Sequence, residues 1–283
     1  MSLFDDIQKQ MNVIKQHIFI PRITRIFIPD YAERDCNGKS VHSKKNNFIA
    51  IGLADGAVGL SYMRYLSRDQ FTSLQKRQSA LIGISPLDLV PGFGQDNAID
   101  HMFGLGAVNA ISQSFILQKQ IPLDFTTDSL GELNVQPSDH IGMVGFFTPL
   151  IPQIRAAGAQ LTILEKRTDL IQEHPKWKVT LDPKEFATCN KVLCTASTLV
   201  NRSIEDVLSY CQNIEFFTLV GPTAGLLPDE LFKRGITVIA GSHVHNADLC
   251  FECLEAERDW APAVKKYCIR SEERRVGKEC RSR

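Results

Sequence analysis

The chain has 283 residues, 43% hydrophobic and 23% charged, with 32 basic residues balanced by 32 acidic ones. Such a composition belongs to an ordinary globular protein long enough for two domains. Balanced charge leaves no electrostatic footprint for nucleic acid or an anionic membrane, and no apolar run approaches the length of a membrane span. The opening MSLFDDIQKQ lacks the basic and apolar pattern of a secretory signal, so a cytoplasmic protein is expected. Eight cysteines at irregular spacing fit reduced thiols better than a disulfide framework.

In chain order, Leu3, Phe4, Ile7, Met11 and Ile14 recur at helical spacing, which predicts an amphipathic helix over 3–17. Residues 23–28 read as a strand ended by Pro29, and 39–47 as an exposed basic turn. Apolar runs at 48–53 and 58–62 flank Asp55-Gly56, a hairpin signal because both residues tolerate the positive φ of tight turns. A helix over 69–80, a Gly/Pro-rich loop over 83–94 and a helix over 97–119 follow. Strands followed by helices indicate an α+β unit, residues 1–124. Gly104, Gly106 and Ala107 sit mid-helix, where glycine costs stability. Close approach of a neighbouring backbone or of a ligand is the expected compensation, and Asn109 is a candidate to face that ligand. Residues 120–138 read as a linker.

From Asp139 to Glu165 the chain reads as strand, turn, helix, strand, the opening of a Rossmann-like doubly wound domain over 125–270. Thr148 is placed as N-cap with Pro149 as first helical residue. Glu165 follows Gly145 by twenty residues, the interval at which nucleotide-binding folds place a carboxylate for ribose hydroxyls. Phe146 and Phe147 occupy the turn that a dinucleotide fingerprint keeps bare, so a dinucleotide is disfavoured. A nucleoside, an S-adenosylmethionine-like cofactor or a pterin-like ring fits better. Further strands are expected at 191–195, 215–220 and 236–240, with Ser203 capping one intervening helix and Gly235 closing another. A final helix is expected over 248–267. Residues 271–283 are abruptly polar and are read as a non-native disordered tail.

Polar or small residues stand at each predicted strand end: Thr148, Glu165, Thr195 with Ser197, Gly221-Pro222-Thr223, and Gly241-Ser242-His243. Loops on one sheet edge make a pocket. His243 is the candidate acid or base. With His245, Cys250 and Cys253 it also has the ligand types of a tetrahedral metal site; the competing reading places both thiols in the core of the last helix.

The segments GLSY, LGAVNA, VGFFTP, TASTLVN and VGPTAGLLP together resemble the putative heavy-metal-chelation family of bacterial and archaeal proteins, over about residues 3–268. The resemblance implies an α/β architecture, an enolase-N-terminal-like α+β domain followed by the Rossmann-like domain. It also implies a site between them at Asn109, Thr148, Thr195, Ser197, Asn201, Gly221, Pro222 and Thr223. The chain departs from the family pattern at Gly225, where proline is common. Enolase chemistry is not expected, because the chain lacks the barrel that supplies the magnesium carboxylates and the base.

The leading expectation is a small-ligand-binding protein, of group-transfer type in metal-chelate metabolism, whose first domain roofs the Rossmann-like edge. A metal chelate is itself one of the expected ligands. The alternatives are a metal-binding or metal-delivery protein using His243, His245, Cys250 and Cys253, and an assembly component with no small-molecule site. The expected partner is a small molecule, and a homo-oligomer is compatible with the sequence.

Overall fold

The computed structural model describes residues 2–29, 47–63, 66–127, 129–211 and 214–272. The turn expected over 39–47 lies outside the described residues up to position 46, and the expected tail lies outside them from 273 onward.

Helix α1 (Leu3–Ile14) opens with a reciprocal capping box between Ser2 and Asp5 and buries the five apolar residues that predicted it. Strands β1 (Ile23–Phe27), β2 (Phe48–Leu53) and β3 (Val58–Tyr62) pair antiparallel in chain order. The Asp55 turn between β2 and β3 is held from both sides. Its Oδ1 accepts from Ala57 N at 3.1 Å and its Oδ2 from Ser114 Oγ at 2.6 Å. Helix α2 (Arg68–Gln78) is capped by Ser67, and α3 (Ala98–Gln118) starts at an Asn97 side chain that accepts from Ile99 N and Asp100 N.

Every residue of α3 from Met102 to Ser114 is buried. A helix enclosed on all faces has no polar stripe, and its neighbours must fit close to its backbone. Gly59 of β3 allows this: a methyl group there would collide with the Gly106 carbonyl oxygen and the Ala110 backbone. Gly104 lies as close to the backbone of Phe93 on another side.

The second sheet holds β4 (His140–Val144), β5 (Gln160–Leu164), β6 (Gln172–His174), β7 (Trp177–Thr180), β8 (Lys191–Thr195), β9 (Phe216–Val220), β10 (Val238–Val244) and β11 (Val264–Arg270). Their order is β11-β10-β9-β8-β4-β5-β7-β6. All neighbours from β10 across to β7 run parallel, and β6 and β11 are antiparallel edges. Short helices connect the strands: α4 (Ser129–Leu133), α5 (Ile151–Ala156), α6 (Ser197–Val200), α7 (Ile204–Tyr210), α8 (Asp229–Phe232) and α9 (Ala247–Glu255). The fold is therefore a doubly wound α/β sheet preceded by an α+β unit. One hydrophobic cluster runs through both, from Leu3, Ile49 and Leu105 to Val192, Leu219 and Ile239. Among the described residues no helix is long and apolar enough to cross a membrane.

Several expectations change. Strand β10 continues through Val244, so Gly241, Ser242 and His243 lie inside it, opposite Tyr267, Lys266 and Lys265. The helix expected over 248–267 stops at Glu255, and the chain returns as β11. Pro262 bars a continuous helix, and the isoleucine, valine and tyrosine of 264–270 favour a strand. The β6–β7 hairpin was hidden by its polarity, since all of β6 is exposed. The linker over 120–138 is anchored: Arg270 pairs with Asp124 and Glu132. Hydrogen bonds from the Thr126 hydroxyl and amide, then from the Thr127 hydroxyl, hold the Asp124 carboxyl well below its usual range. Helix α5 begins at Ile151 rather than 149, because Leu150 N and Ile151 N both donate to Phe147 O in a preceding turn.

Gly59→Ala is expected to cost about 3 kcal/mol or more, because backbone stands on both sides of the new methyl group. Gly106→Ala should be nearly neutral. Its methyl would meet side chains rather than backbone, nearest the tip of Ile51 at 3.0 Å, and the helix gains propensity. Urea unfolding midpoints of the two variants check the contrast.

Candidate functional site

Chain order in the second sheet reverses at β4: β5 lies on one side of it and β8 on the other. Loops leaving the carboxyl ends of β4 and β8 diverge there, which opens a crevice. The crevice has a volume of about 800 Å³.

Three strand ends build it. After β4, Gly145 turns the chain at φ +91 and donates its N–H to Leu164 O at 2.9 Å. After β5, Glu165 ties that turn down. Its Oε2 accepts from Phe146 N at 3.1 Å, and its Oε1 accepts from Lys166 N at 2.7 Å and Arg167 N at 3.2 Å. A carboxylate bound by three amides shapes the loop, which gives Glu165 a structural role beside the ribose contact expected of it. After β8, Thr195 Oγ1 accepts from Ser197 N and donates to Ser197 Oγ, both at 3.2 Å. Since Ser197 Oγ accepts there, its own hydrogen remains available to the crevice. Asn201 Oδ1 accepts from Ser203 N at 3.0 Å and Ser203 Oγ at 2.6 Å, which fixes the loop entering α7. That bond also replaces the N-cap expected of Ser203, whose side chain makes no cap hydrogen bond.

The remaining wall is largely apolar. Phe146 and Phe147 stand on one side; Leu181 and Tyr210, 48% and 41% exposed, stand at the mouth. Among the described residues, Tyr62 is the first unit's contribution. No histidine or cysteine is among the described residues lining the crevice. These side chains can bind and orient a flat molecule; they do not form a nucleophile–base pair.

Of the residues expected at the site, Glu165, Thr195, Ser197 and Asn201 line the crevice, and the others do not. Thr148 is exposed beyond the turn. Asn109 is fully buried, and its Nδ2 donates to Leu60 O at 2.7 Å and Thr223 O at 2.8 Å. Thr223 Oγ1 accepts from Tyr62 N at 3.0 Å. Asn109 and Thr223 therefore clamp β3 to the loop after β9 instead of facing a ligand. Gly221 donates to Ala240 O at 3.0 Å within that loop, which also carries Pro222, and Ser242 is buried in β10. A Cβ at 225 would stand in ordinary contact with Asn109, 3.4 Å from its Cγ, so the clamp itself does not demand glycine there. Tyr62 and Phe147 lie in motifs that were noticed for other reasons, whereas Leu181 and Tyr210 left no signal in the sequence.

His243 also lies outside the crevice. The Gln113 amide nitrogen donates to Gly225 O at 2.7 Å and Tyr267 Oη at 3.3 Å, so Gln113 Oε1 is the acceptor for His243 Nδ1–H at 2.9 Å. Burial, then His245 and Lys265, lower the His243 pKa. The proposed metal quartet is not assembled. Cys250 is buried beside Phe251 and Leu254, against Val58 and Leu60 of β3, and burial pushes its thiol up to about 12. Cys253 is buried as well. Among the described residues, no group of three or more histidine, cysteine, aspartate or glutamate side chains is placed to hold a metal ion.

Fold and crevice together define a Rossmann-like α/β protein with a crevice at the switch point of its sheet. The chain belongs to the DUF364 family, described as putative heavy-metal chelation, which matches residues 128–269. An uncharacterised protein of Methanocaldococcus jannaschii is 27% identical over 188 residues, 62% of this chain and 67% of that protein. Two solved structures of DUF364 proteins of unknown function share the fold. The one from Pyrococcus horikoshii has a TM-score of 0.68 at 15% identity, covering 95% of this chain and 100% of that one. The one from Desulfitobacterium hafniense has a TM-score of 0.69 at 16% identity, covering 95% and 99%.

Asn109→Ala strands two buried carbonyls and is expected to cost about 3 kcal/mol in urea unfolding, against less than about 0.5 kcal/mol for Thr148→Ala. Burial also lowers the pKa of His140, as it does that of His243, from an ordinary 6.5. The unfolded chain therefore binds more protons below that value, so stability is full above it and falls as acidification proceeds toward the folded pKa values. Unfolding midpoints between about pH 7.5 and 5 should show this decline, and His243→Gln should flatten it.

Proposed function

We propose that this protein binds a small organic molecule with a flat ring in the crevice between the β4 and β8 loops. The observation that carries this reading is the pairing of aromatic walls, Phe146, Phe147 and Tyr210, with the Ser197 hydroxyl in one space of about 800 Å³. That volume falls within the usual range for small-molecule sites, and an apolar lining with few placed polar groups is their common composition. The ring lies against the aromatic walls, and Ser197 donates to a ring nitrogen or oxygen. S-adenosylmethionine, nucleosides and pterins all carry such rings. The family's description is in keeping with a role in the metabolism of metal chelates, and group transfer is the reaction class we propose for it. Asp206, exposed at the rim, is a carboxylate free of the backbone bonds that occupy Glu165. Residues 1–124 act as a fixed wall through Tyr62.

Native mass spectrometry and thermal-shift titration of the full chain with these three classes test the reading. One class is expected to bind one-to-one, and Ser197→Ala to weaken it about tenfold, the value of one hydrogen bond. Absence of binding by all three, or unchanged affinity in the variant, would overturn it.

A further inference from the structure

A second hollow, of about 560 Å³, lies at the opposite end of the same sheet, where the parallel strands begin. It sits between α5 and the β6–β7 hairpin, with Ala156, Ala159 and Trp177 as its apolar surface and Arg155, His174 and Lys176 around it.

Charge distinguishes it first. No carboxylate is among the residues lining it, and among the described residues none pairs with Arg155, His174 or Lys176. In a chain of zero formal charge, two permanent cations flanking one concavity without counter-ions create a local positive potential that favours an anion. Its aromatic surface is already ordered. The His174 ring stacks on the Trp177 indole with centroids 4.6 Å apart and an interplanar angle of 13°, and the Arg155 guanidinium carbon lies 5.4 Å from the indole centroid. The Trp177 backbone is fixed by pairing with Leu161 at the start of β7. Finally, Trp177 Nε1 is buried with no acceptor. An unpaired buried donor is costly, so an oxyanion that reached the indole edge would gain a hydrogen bond that the folded chain leaves open.

We infer that this hollow binds a small aryl oxyanion, a carboxylate or phosphate carried on a flat ring. The ring rests on the apolar surface beside Trp177, and the oxyanion lies between Arg155 and Lys176. This site is separate from the crevice and does not depend on the function proposed there.

The chain has two tryptophans, so Trp260→Phe leaves Trp177 as the sole tryptophan in the full-length protein, excited selectively at the red edge of its absorption. Its fluorescence is titrated with phenyl phosphate, benzoate and inorganic phosphate. A saturable change is expected with phenyl phosphate, benzoate or both, with inorganic phosphate at least about tenfold weaker. The midpoint should weaken about tenfold or more in the added background Arg155→Gln/Lys176→Gln, and be unmoved by Ser197→Ala. Response to the phosphate alone would assign a dianion site; response to both would assign oxyanions generally. A non-saturating response, equal binding of inorganic phosphate, or indifference to the double substitution would overturn the inference. Calorimetric titration of the otherwise unmodified chain against the Arg155→Gln/Lys176→Gln variant gives the same decision if Trp260→Phe does not fold.

Discussion

The enclosure of α3 is the constraint on which the molecule depends. A helix buried from Met102 to Ser114 leaves no face for water, so its polar groups depend on protein partners; among the described residues Asn109 Oδ1 is the buried side-chain atom of this helix left without one. The partners lie in both units. Asn109 bonds Leu60 O and Thr223 O, Gln113 bonds Gly225 O, and Ser112 Oγ accepts from Leu227 N. His101 is fixed in the same way: its Nδ1 accepts from Gly94 N, so Nε2 carries the proton donated to Leu199 O. Apolar burial brings the two sheets onto α3, and these bonds set the orientation at which they meet.

With α3 as the joint, the crevice arises from sheet topology and needs little else from the first unit. Reversal of strand order at β4 separates two loops, and Glu165 keeps one of them in shape by accepting from the backbone amides of Phe146, Lys166 and Arg167. The carboxylate at the end of a second Rossmann strand thus has a use that does not require a ribose. Phe146 follows from the same arrangement. With its N–H held by Glu165, its ring becomes part of a wall, and the turn is closed to the approach a pyrophosphate would need.

Much of the architecture was legible because the signals were local. The 3.6-residue pattern of α1, the Asp55-Gly56 hairpin and the strand–turn–helix–strand run from Asp139 each follow from short-range periodicity or turn chemistry. What escaped notice depends on distant partners. The hairpin of β6 and β7 is polar because it forms an exposed edge, and β11 is defined by pairing with β10 rather than by its own pattern. The site was partly legible for the same reason. Thr195, Ser197 and Glu165 were found by position at strand ends, since topology alone places them. Asn109, Thr223 and His243 were polar residues in small-residue surroundings, and sequence cannot separate a buried clamp from a ligand contact. Depth in the fold decides that difference, and depth is a property of α3 and its neighbours together.

The clamp through Asn109 also bears on how the proposed ligand would enter and leave. Swinging the units apart would break several buried hydrogen bonds at once and expose the core that they share. Those bonds oppose hinge closure of the kind that gates many two-domain enzymes on microsecond-to-millisecond times. For the ligand proposed above, the way in would be the mouth between Leu181 and Tyr210, where exposed side chains change rotamer in picoseconds to nanoseconds. Residence time in such a vestibule is set by contacts with the occupant rather than by the opening of a door.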